Sequence, residues 1–317
     1  MSKPVCVLWI DDAKLYEEAL TRAGLGGRME VHSLKLNDKL PDELAARAEV
    51  LVAWKGGGYL KDMPRLRWIQ AMTAGVESWL GRPELRGDVT LTCARGSHRI
   101  PVPENVLGAL FHITKPYMDI ALAQRECRWT KRMSAPLAGK TLGILGLGSI
   151  GQELARKAAA LEMRVIGTKR SPEAIPHVDK VYPPAETDTV LGLSDFVVLL
   201  LPATPETENS INAARLRAMK RTAWLLNFAR GALIVDADLI AAVQAKTIAG
   251  AVLDVFREEP LPATHPFWKT EGILVLPHIG GGHPDRRAIV AEMFAENARR
   301  YLEGKPLNAL VDRKRGY

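Results

Sequence analysis

The segment 141–170 constrains this chain more than any other. An apolar run, Leu142-Gly143-Ile144-Leu145, leads into Gly146-Leu147-Gly148-Ser149-Ile150-Gly151; a stretch rich in Ala, Leu, Glu, Arg and Lys follows, then a second apolar run, Val165-Ile166-Gly167-Thr168. The pattern predicts strand, glycine turn, helix and strand, a right-handed parallel crossover of about thirty residues. Each glycine has its own task. Gly146 permits the tight turn, Gly148 lets the backbone approach a pyrophosphate, and Gly151 lets the helix pack closely on the strand. The phosphates are expected at the helix N-terminus, on the N–H groups around Ser149, Ile150 and Gly151, where the helix dipole favours negative charge. A glycine motif alone is a weak signal; a strand before it and a helix after it make it a dinucleotide signature.

At 317 residues the chain is longer than one hydrophobic core serves, so two domains are expected. Apolar runs at 4–10, 29–34, 50–54, 67–71 and 89–93 predict a first α/β domain with a parallel sheet. Runs at 142–145, 164–168, 196–201, 223–227, 249–255 and 273–276 predict a second, doubly wound dinucleotide-binding sheet. Pro101-Val102-Pro103 reads as the change of domain, ahead of a long helical pattern over 104–124. An amphipathic segment over 285–304 is long enough to cross back onto the first domain. The predicted division is therefore 1–101 completed by 283–317, with 102–282 inserted.

With 47% apolar and 25% charged residues, the composition is that of a soluble globular protein. No apolar run reaches the eighteen or so residues of a membrane span, and the N-terminus lacks a signal-peptide pattern, so the expected compartment is the cytoplasm. Cys6, Cys93 and Cys127 are odd in number and lack metal-ligand spacing; they read as packing residues, with no metal site. The net charge of +7 is dispersed, apart from the terminal Arg313-Lys314-Arg315. Neither a nucleic-acid nor a membrane partner is expected, and the basic balance suits attraction of small anions.

Three polar residues stand just beyond late strand-like runs: Arg230, Glu259 and His278. Strand ends on one edge of a parallel sheet converge, so these can meet although far apart in sequence. Hydride transfer to a carbonyl builds negative charge on oxygen and needs a cation and a proton donor. Arg230 offers a guanidinium, His278 an acid of the type that titrates near neutrality, and Glu259 a partner for the imidazolium. Singly, each has an ordinary structural reading; together they describe a carbonyl reductase. Two loops after first-domain strands, 55–59 and 72–77, are placed to see a substrate.

At these residues the chain resembles the D-isomer-specific 2-hydroxyacid dehydrogenases, and glyoxylate/hydroxypyruvate reductases in particular. The resemblance rests on Met72-Thr73-Ala74-Gly75-Val76-Glu77, Pro103-Glu104-Asn105-Val106-Leu107, the glycine motif, Leu201-Pro202-Ala203-Thr204-Pro205-Glu206-Thr207, Asn227-Phe228-Ala229-Arg230-Gly231, Asp254-Val255-Phe256-Arg257-Glu258-Glu259-Pro260 and Pro277-His278-Ile279-Gly280. It implies a flavodoxin-like substrate domain built from both chain ends, an inserted coenzyme domain, a cleft between them and a homodimer. It assigns the substrate's carboxylate and carbonyl to Arg230, the acid/base role to His278 and its orientation to Glu259. Gly75 and Val76 would offer N–H groups to the carboxylate. Asp254 would hold the nicotinamide carboxamide, with Leu201, Pro202, Thr207, Phe228, Ala229 and Gly280 bordering the cofactor. Thr73-Ala74 departs from the commoner Gly-Ala pair, and no appended regulatory domain of the kind found in the larger phosphoglycerate dehydrogenases is expected.

Cofactor choice is read at the end of the second strand of the glycine unit. Eighteen residues beyond Gly151, close to where NAD-binding chains place an acidic residue, stands Lys169, followed by Arg170 and Ser171. Cations and a hydroxyl suit a 2′-phosphate, which predicts NADP(H) as the preferred cofactor with NAD(H) possible. The expected activity is reduction of a small anionic 2-keto acid to the D-2-hydroxy acid. A dinucleotide-sensing binding protein of the corepressor kind, or an oxidoreductase of another small anion, would share the same motifs.

Overall fold

In the computed structural model, which describes residues 3–316, the elements run in chain order from β1 (Val5–Trp9), α1 (Ala13–Arg22), β2 (Glu30–Leu34) and α2 (Asp42–Arg47) to β3 (Val50–Ala53), β4 (Trp68–Ala71) and β5 (Thr90–Thr92). Then come α3 (Pro101–Thr114), α4 (Tyr117–Arg125), β6 (Thr141–Leu145), α5 (Ser149–Ala160), β7 (Arg164–Thr168), β8 (Lys180–Tyr182) and α6 (Thr187–Leu193). The chain closes with β9 (Phe196–Leu199), α7 (Ala213–Ala218), β10 (Trp224–Asn227), α8 (Asp236–Gln244), β11 (Gly250–Leu253), β12 (Ile273–Val275) and α9 (Arg286–Leu302). They form two compact units: one up to His98 and again from His283 onward, the other Arg99–Gly282. The division falls just ahead of the proline pair, because Pro101 and Pro103 belong to the first turn of α3, where a missing N–H costs nothing.

The first unit holds a parallel five-stranded sheet in the order β2-β1-β3-β4-β5. This is the flavodoxin-like order, whose direction of winding reverses between β1 and β3. β3 and β4 are buried along their whole length, which is why they read as continuous apolar runs rather than alternating ones. Helix α9 returns to this unit as its spacing predicts. Val290, Ala291, Phe294, Ala295 and Ala298 pack with Leu8, Tyr16 and Trp68, and the Phe294 ring stacks on Trp68 at 5.3 Å. Burying a side chain the size of Phe294 contributes about 2–3 kcal/mol. A polar tie fixes the same helix: Asn297 Nδ2 donates to Gln70 Oε1 (3.2 Å), and Asn297 Oδ1 accepts from Asn308 N (2.7 Å).

The second unit holds a parallel seven-stranded sheet, β12-β11-β10-β9-β6-β7-β8. Six strands correspond to the six apolar runs. The seventh, β8, was not predicted: Lys180-Val181-Tyr182 is too short to carry a pattern and pairs on one side only, with β7. The expected single helix over 104–124 is two helices. Lys115, preceding Pro116, is extended at φ −118° and ψ 133°, and the proline that follows it starts α4 in a new direction.

Candidate active site

β6 and β9 are neighbours at the point where the second sheet reverses its winding, and the glycine turn opens from β6 directly into α5. Gly146 has φ +111°, and a Cβ there would lie 2.7 Å from Leu200 O. A Cβ on Gly151 would lie 2.4 Å from Gly146 O, so only glycine lets the helix sit this close. At Gly148 a Cβ would meet nothing within 4 Å, which leaves room for a ligand against the backbone. No side chain caps α5, whose first turn is formed by Ser149, Ile150 and Gly151. Open space, a positive helix end and uncapped N–H groups together fit a dinucleotide pyrophosphate.

Beyond β7 the turn is less simply basic than its sequence suggests. Lys169 Nζ pairs with Glu173 Oε1, four residues on. A hydrogen bond from Thr204, aided by the nearby positive charge of Arg170, holds the Glu206 carboxyl below its usual range. Each cation therefore has an acidic neighbour, and Ser171 stands exposed beside them. Near the end of β9, the Thr207 hydroxyl donates to Pro202 O (2.7 Å) and accepts from Thr204 N (2.8 Å), pinning the loop after Leu201.

The three strand-end residues lie on loops that brace one another. Asn227, fully buried at the end of β10, accepts from Ala229 N (3.1 Å) and donates to Arg230 O (2.9 Å), so its side chain shapes the turn through Phe228 and Ala229. Arg230 Nη1 donates to Ala229 O at 2.7 Å. Gly231 follows because a Cβ there would lie 2.0 Å from Phe256 C; the Arg230 turn is packed against the loop that carries Glu259. Glu259 Oε1 accepts from Phe256 N (2.8 Å), while Oε2 lies 2.6 Å from His278 Nδ1. Glu259 and His278 thus touch, and the turn that carries Arg230 is packed against the loop that carries Glu259.

His278 occupies the left-handed region at φ +52°. What holds it there is Asp254, whose two carboxylate oxygens accept from Ile279 N and Gly280 N, each at 2.8 Å. Burial pushes the Asp254 carboxyl up from its ordinary value, opposed by these two bonds. Asn105 of α3 adds a donor to Gly280 O at 3.1 Å. Asp254, singled out for a nicotinamide carboxamide, is therefore also the anchor of the histidine loop. That role of Asp254, and those of Asn105, Asn227 and Glu173, are not visible in the sequence, although the first three sit inside recognisable motifs.

Gly75 and Val76 belong to the first unit, in the turn after β4, where Thr73 Oγ1 donates to Gly75 O at 2.5 Å. Among the described residues, neither of their N–H groups donates a hydrogen bond. Val76 itself is buried against Trp79 and Leu60.

Residues 107–280 match the model of the D-isomer specific 2-hydroxyacid dehydrogenase NAD-binding domain. A glyoxylate reductase from Thermofilum pendens is 33% identical over 261 residues, covering 79% of this chain and 76% of that protein. Among solved structures, the D-isomer specific 2-hydroxyacid dehydrogenase from Xanthobacter autotrophicus in complex with NADPH and MES superposes with a TM-score of 0.87 at 31% identity, over 100% of both chains. The NADPH-dependent glyoxylate/hydroxypyruvate reductase from Sinorhizobium meliloti, in complex with NADP and sulfate, gives 0.82 at 30% identity, again over 100% of both. With the cradle fitted to a nicotinamide dinucleotide, the chain belongs to the D-isomer-specific 2-hydroxyacid dehydrogenase family.

Proposed function

We propose that this protein reduces a small 2-keto acid to the D-2-hydroxy acid, with NADPH as the preferred hydride donor. The observation that carries the reading is the contact of His278 Nδ1 with Glu259 Oε2 in the same loop cluster as Arg230. With Nδ1 engaged, the other ring nitrogen is left to deliver a proton. The nicotinamide, when bound, supplies a hydride to the keto carbon. Arg230 offsets the charge that develops on the keto oxygen, and His278 protonates that oxygen. Glu259 stabilises the imidazolium before it gives up its proton. Gly75 and Val76 offer their N–H groups to the carboxylate.

Relatives named glyoxylate reductase and glyoxylate/hydroxypyruvate reductase support glyoxylate and hydroxypyruvate as the first substrates to try. The Lys169-Arg170-Ser171 turn supports NADPH over NADH, since it carries no carboxylate at the position where a ribose 2′-hydroxyl is usually read. A homodimer is part of the same reading. In the second unit Tyr117, Met118, Leu122, Trp129 and Met133 are exposed, Trp129 at 99%, along one continuous stretch of chain. A second copy would cover such large apolar groups. The test is a spectrophotometric screen of 2-keto acids with NADPH and NADH. Turnover of glyoxylate or hydroxypyruvate is the expected result, and cofactor binding without turnover across the panel would overturn it in favour of a dinucleotide sensor.

A further inference from the structure

At the carboxyl edge of the first sheet, the winding reverses between β1 and β3, the place where open parallel sheets bind ligands. Asp12 follows β1 there, Trp54 follows β3 and Met72 follows β4. The first residue of α9, Arg286, reaches the last two. Its Nη2 donates to Met72 O at 2.7 Å, and its guanidinium lies 5.3 Å from the Trp54 ring centroid. Two arginines at the positive end of a helix oppose its dipole, and Arg286 and Arg287 are so placed, with no acidic residue in the first turn. Arg287 has a counter-charge in Asp12, at 3.6 Å. Arg286 makes no ion pair among the described residues, although it is half-buried and its guanidinium is pulled down from its usual value mainly by that burial.

Beside it lies an independent sign of unmet polarity. Tyr16 is fully buried, and its hydroxyl has no hydrogen-bond partner; the buried Asp12 Oδ2 makes no hydrogen bond either and is the oxygen that faces Arg287. The electrostatic coupling of Tyr16 to both Asp12 and Arg286 places all three in one group. A guanidinium has five donor N–H groups, and Arg286 gives one of them to Met72 O. The rest belong to a cation fixed by a carbonyl and an indole face, oriented but not neutralised, next to the turn of Gly75 and Val76. That is how an arginine is set for an anion it must choose rather than merely attract.

We propose that Arg286 is a specificity-determining residue that binds the end of the substrate remote from its keto acid group, selecting 2-keto acids that carry a second carboxylate there. The proposal rests on the 2-keto acid reductase reading above and adds the substrate's far end to it. A substrate anchored by its first carboxylate at Gly75 and Val76 would extend its other end along the carboxyl edge of the same sheet, where Trp54 supplies an apolar wall and Arg286 the charge. An uncharged far end of equal size would leave the guanidinium desolvated and unpaired, and is disfavoured on that account.

The experiment compares kcat/KM for oxaloacetate with that for 4-methyl-2-oxopentanoate, which has two methyl groups in place of the two carboxylate oxygens. Glyoxylate, which has no far end, is measured alongside. Wild type should prefer the diacid by roughly tenfold or more. Arg286→Leu should abolish the preference, and Arg286→Lys should restore part of it. No preference in wild type, or equal losses on both substrates in Arg286→Leu, would make Arg286 only a support of the Met72 turn and overturn the proposal. The wild-type ratio decides the matter even if the leucine variant does not fold. Glyoxylate turnover without diacid preference defeats this inference alone; absence of turnover with all three defeats the reductase reading with it.

Discussion

His278 Nδ1 lies 2.6 Å from Glu259 Oε2, and the other oxygen of that carboxylate is held by the Phe256 N–H at 2.8 Å. The carboxylate is therefore fixed before it meets the ring, and its charge is aimed at one nitrogen. Glu259→Gln preserves size and an acceptor but removes the charge that favours the imidazolium. Reduction draws its proton from that ring, so reductive kcat/KM should fall about tenfold for a loss near 1.4 kcal/mol. Equal kcat/KM in the two proteins would show that the pairing is not used in catalysis.

Arg230 is offered to the site by a turn that Asn227 and Gly231 shape. If its guanidinium both binds the substrate and meets the developing oxyanion, Arg230→Ala should raise KM and lower kcat together. The combined loss should be about 3 kcal/mol, roughly a hundredfold or more in kcat/KM. A folded Arg230→Ala protein with near-wild-type kcat/KM would remove this residue from the mechanism.

The glycine unit was legible because its glycines answer to backbone sterics within a few residues: a positive φ at Gly146 and a close approach at Gly151. Both sheets were legible because parallel strands buried on two faces read as plain apolar runs. What escaped was long-range or small. Asp254 looks the same in sequence whether it holds a ligand or, as here, the N–H groups of Ile279 and Gly280, 25 and 26 residues away. β8 has too few residues to show a period, and the break at Pro116 was hidden by helix-like sequence on both sides. Arg230, Glu259 and His278 were singled out by their place just after strand-like runs; the buttressing around them required coordinates.

That buttressing can be probed without touching a polar group. A Cβ on Gly280 would lie 2.6 Å from Asp254 Oδ2 and 2.9 Å from Phe228 Cδ1, closer than packed atoms allow. Gly280→Ala should push the histidine loop off its anchor and lower kcat about tenfold or more. Gly108, on α3, faces open space, so Gly108→Ala should be neutral or stabilising by up to about 1 kcal/mol and should retain activity. Equal kcat in Gly280→Ala and wild type would mean that the loop tolerates displacement and that Asp254 does not set His278.

Acid sensitivity has a specific source in the second unit. Glu153, on α5 and 7% exposed, contacts Arg156 at 2.6 Å and Arg99 at 2.8 Å. The Arg156 hydrogen bond, more than any other contact, holds its carboxyl below the ordinary value. A carboxyl depressed in the folded state contributes stability that is present above the unfolded value, about 4.3, and is lost as pH falls through the folded one. Glu153→Gln should therefore lower Tm at neutral pH, and the gap from wild type should close on acidification below about pH 4. A gap that stays constant down to pH 3 would assign the loss to packing instead.

Cofactor preference depends on how Lys169 divides its charge. Its Nζ pairs with Glu173, whose side chain is 66% exposed against 27% for the lysine, so the carboxylate stands on the solvent side of the pair. A 2′-phosphate on the adenine ribose would compete with that carboxylate for Lys169 and be repelled by it, whereas a 2′-hydroxyl would feel neither effect strongly. Removing the charge with Glu173→Gln should therefore lower KM for NADPH severalfold and leave KM for NADH nearly unchanged. The factor stays small because an exposed pair in water is screened, worth up to about 1 kcal/mol. Lys169→Asp should act in the opposite direction, weakening NADPH far more than NADH, and the wild-type NADPH advantage should shrink as salt is added. Steady-state kinetics with both cofactors at low and high ionic strength measures all three. If Glu173→Gln altered both cofactors equally, or wild type used NADH as well as NADPH at low salt, the Lys169–Glu173 pair would be ordinary surface chemistry and the turn would not read the phosphate.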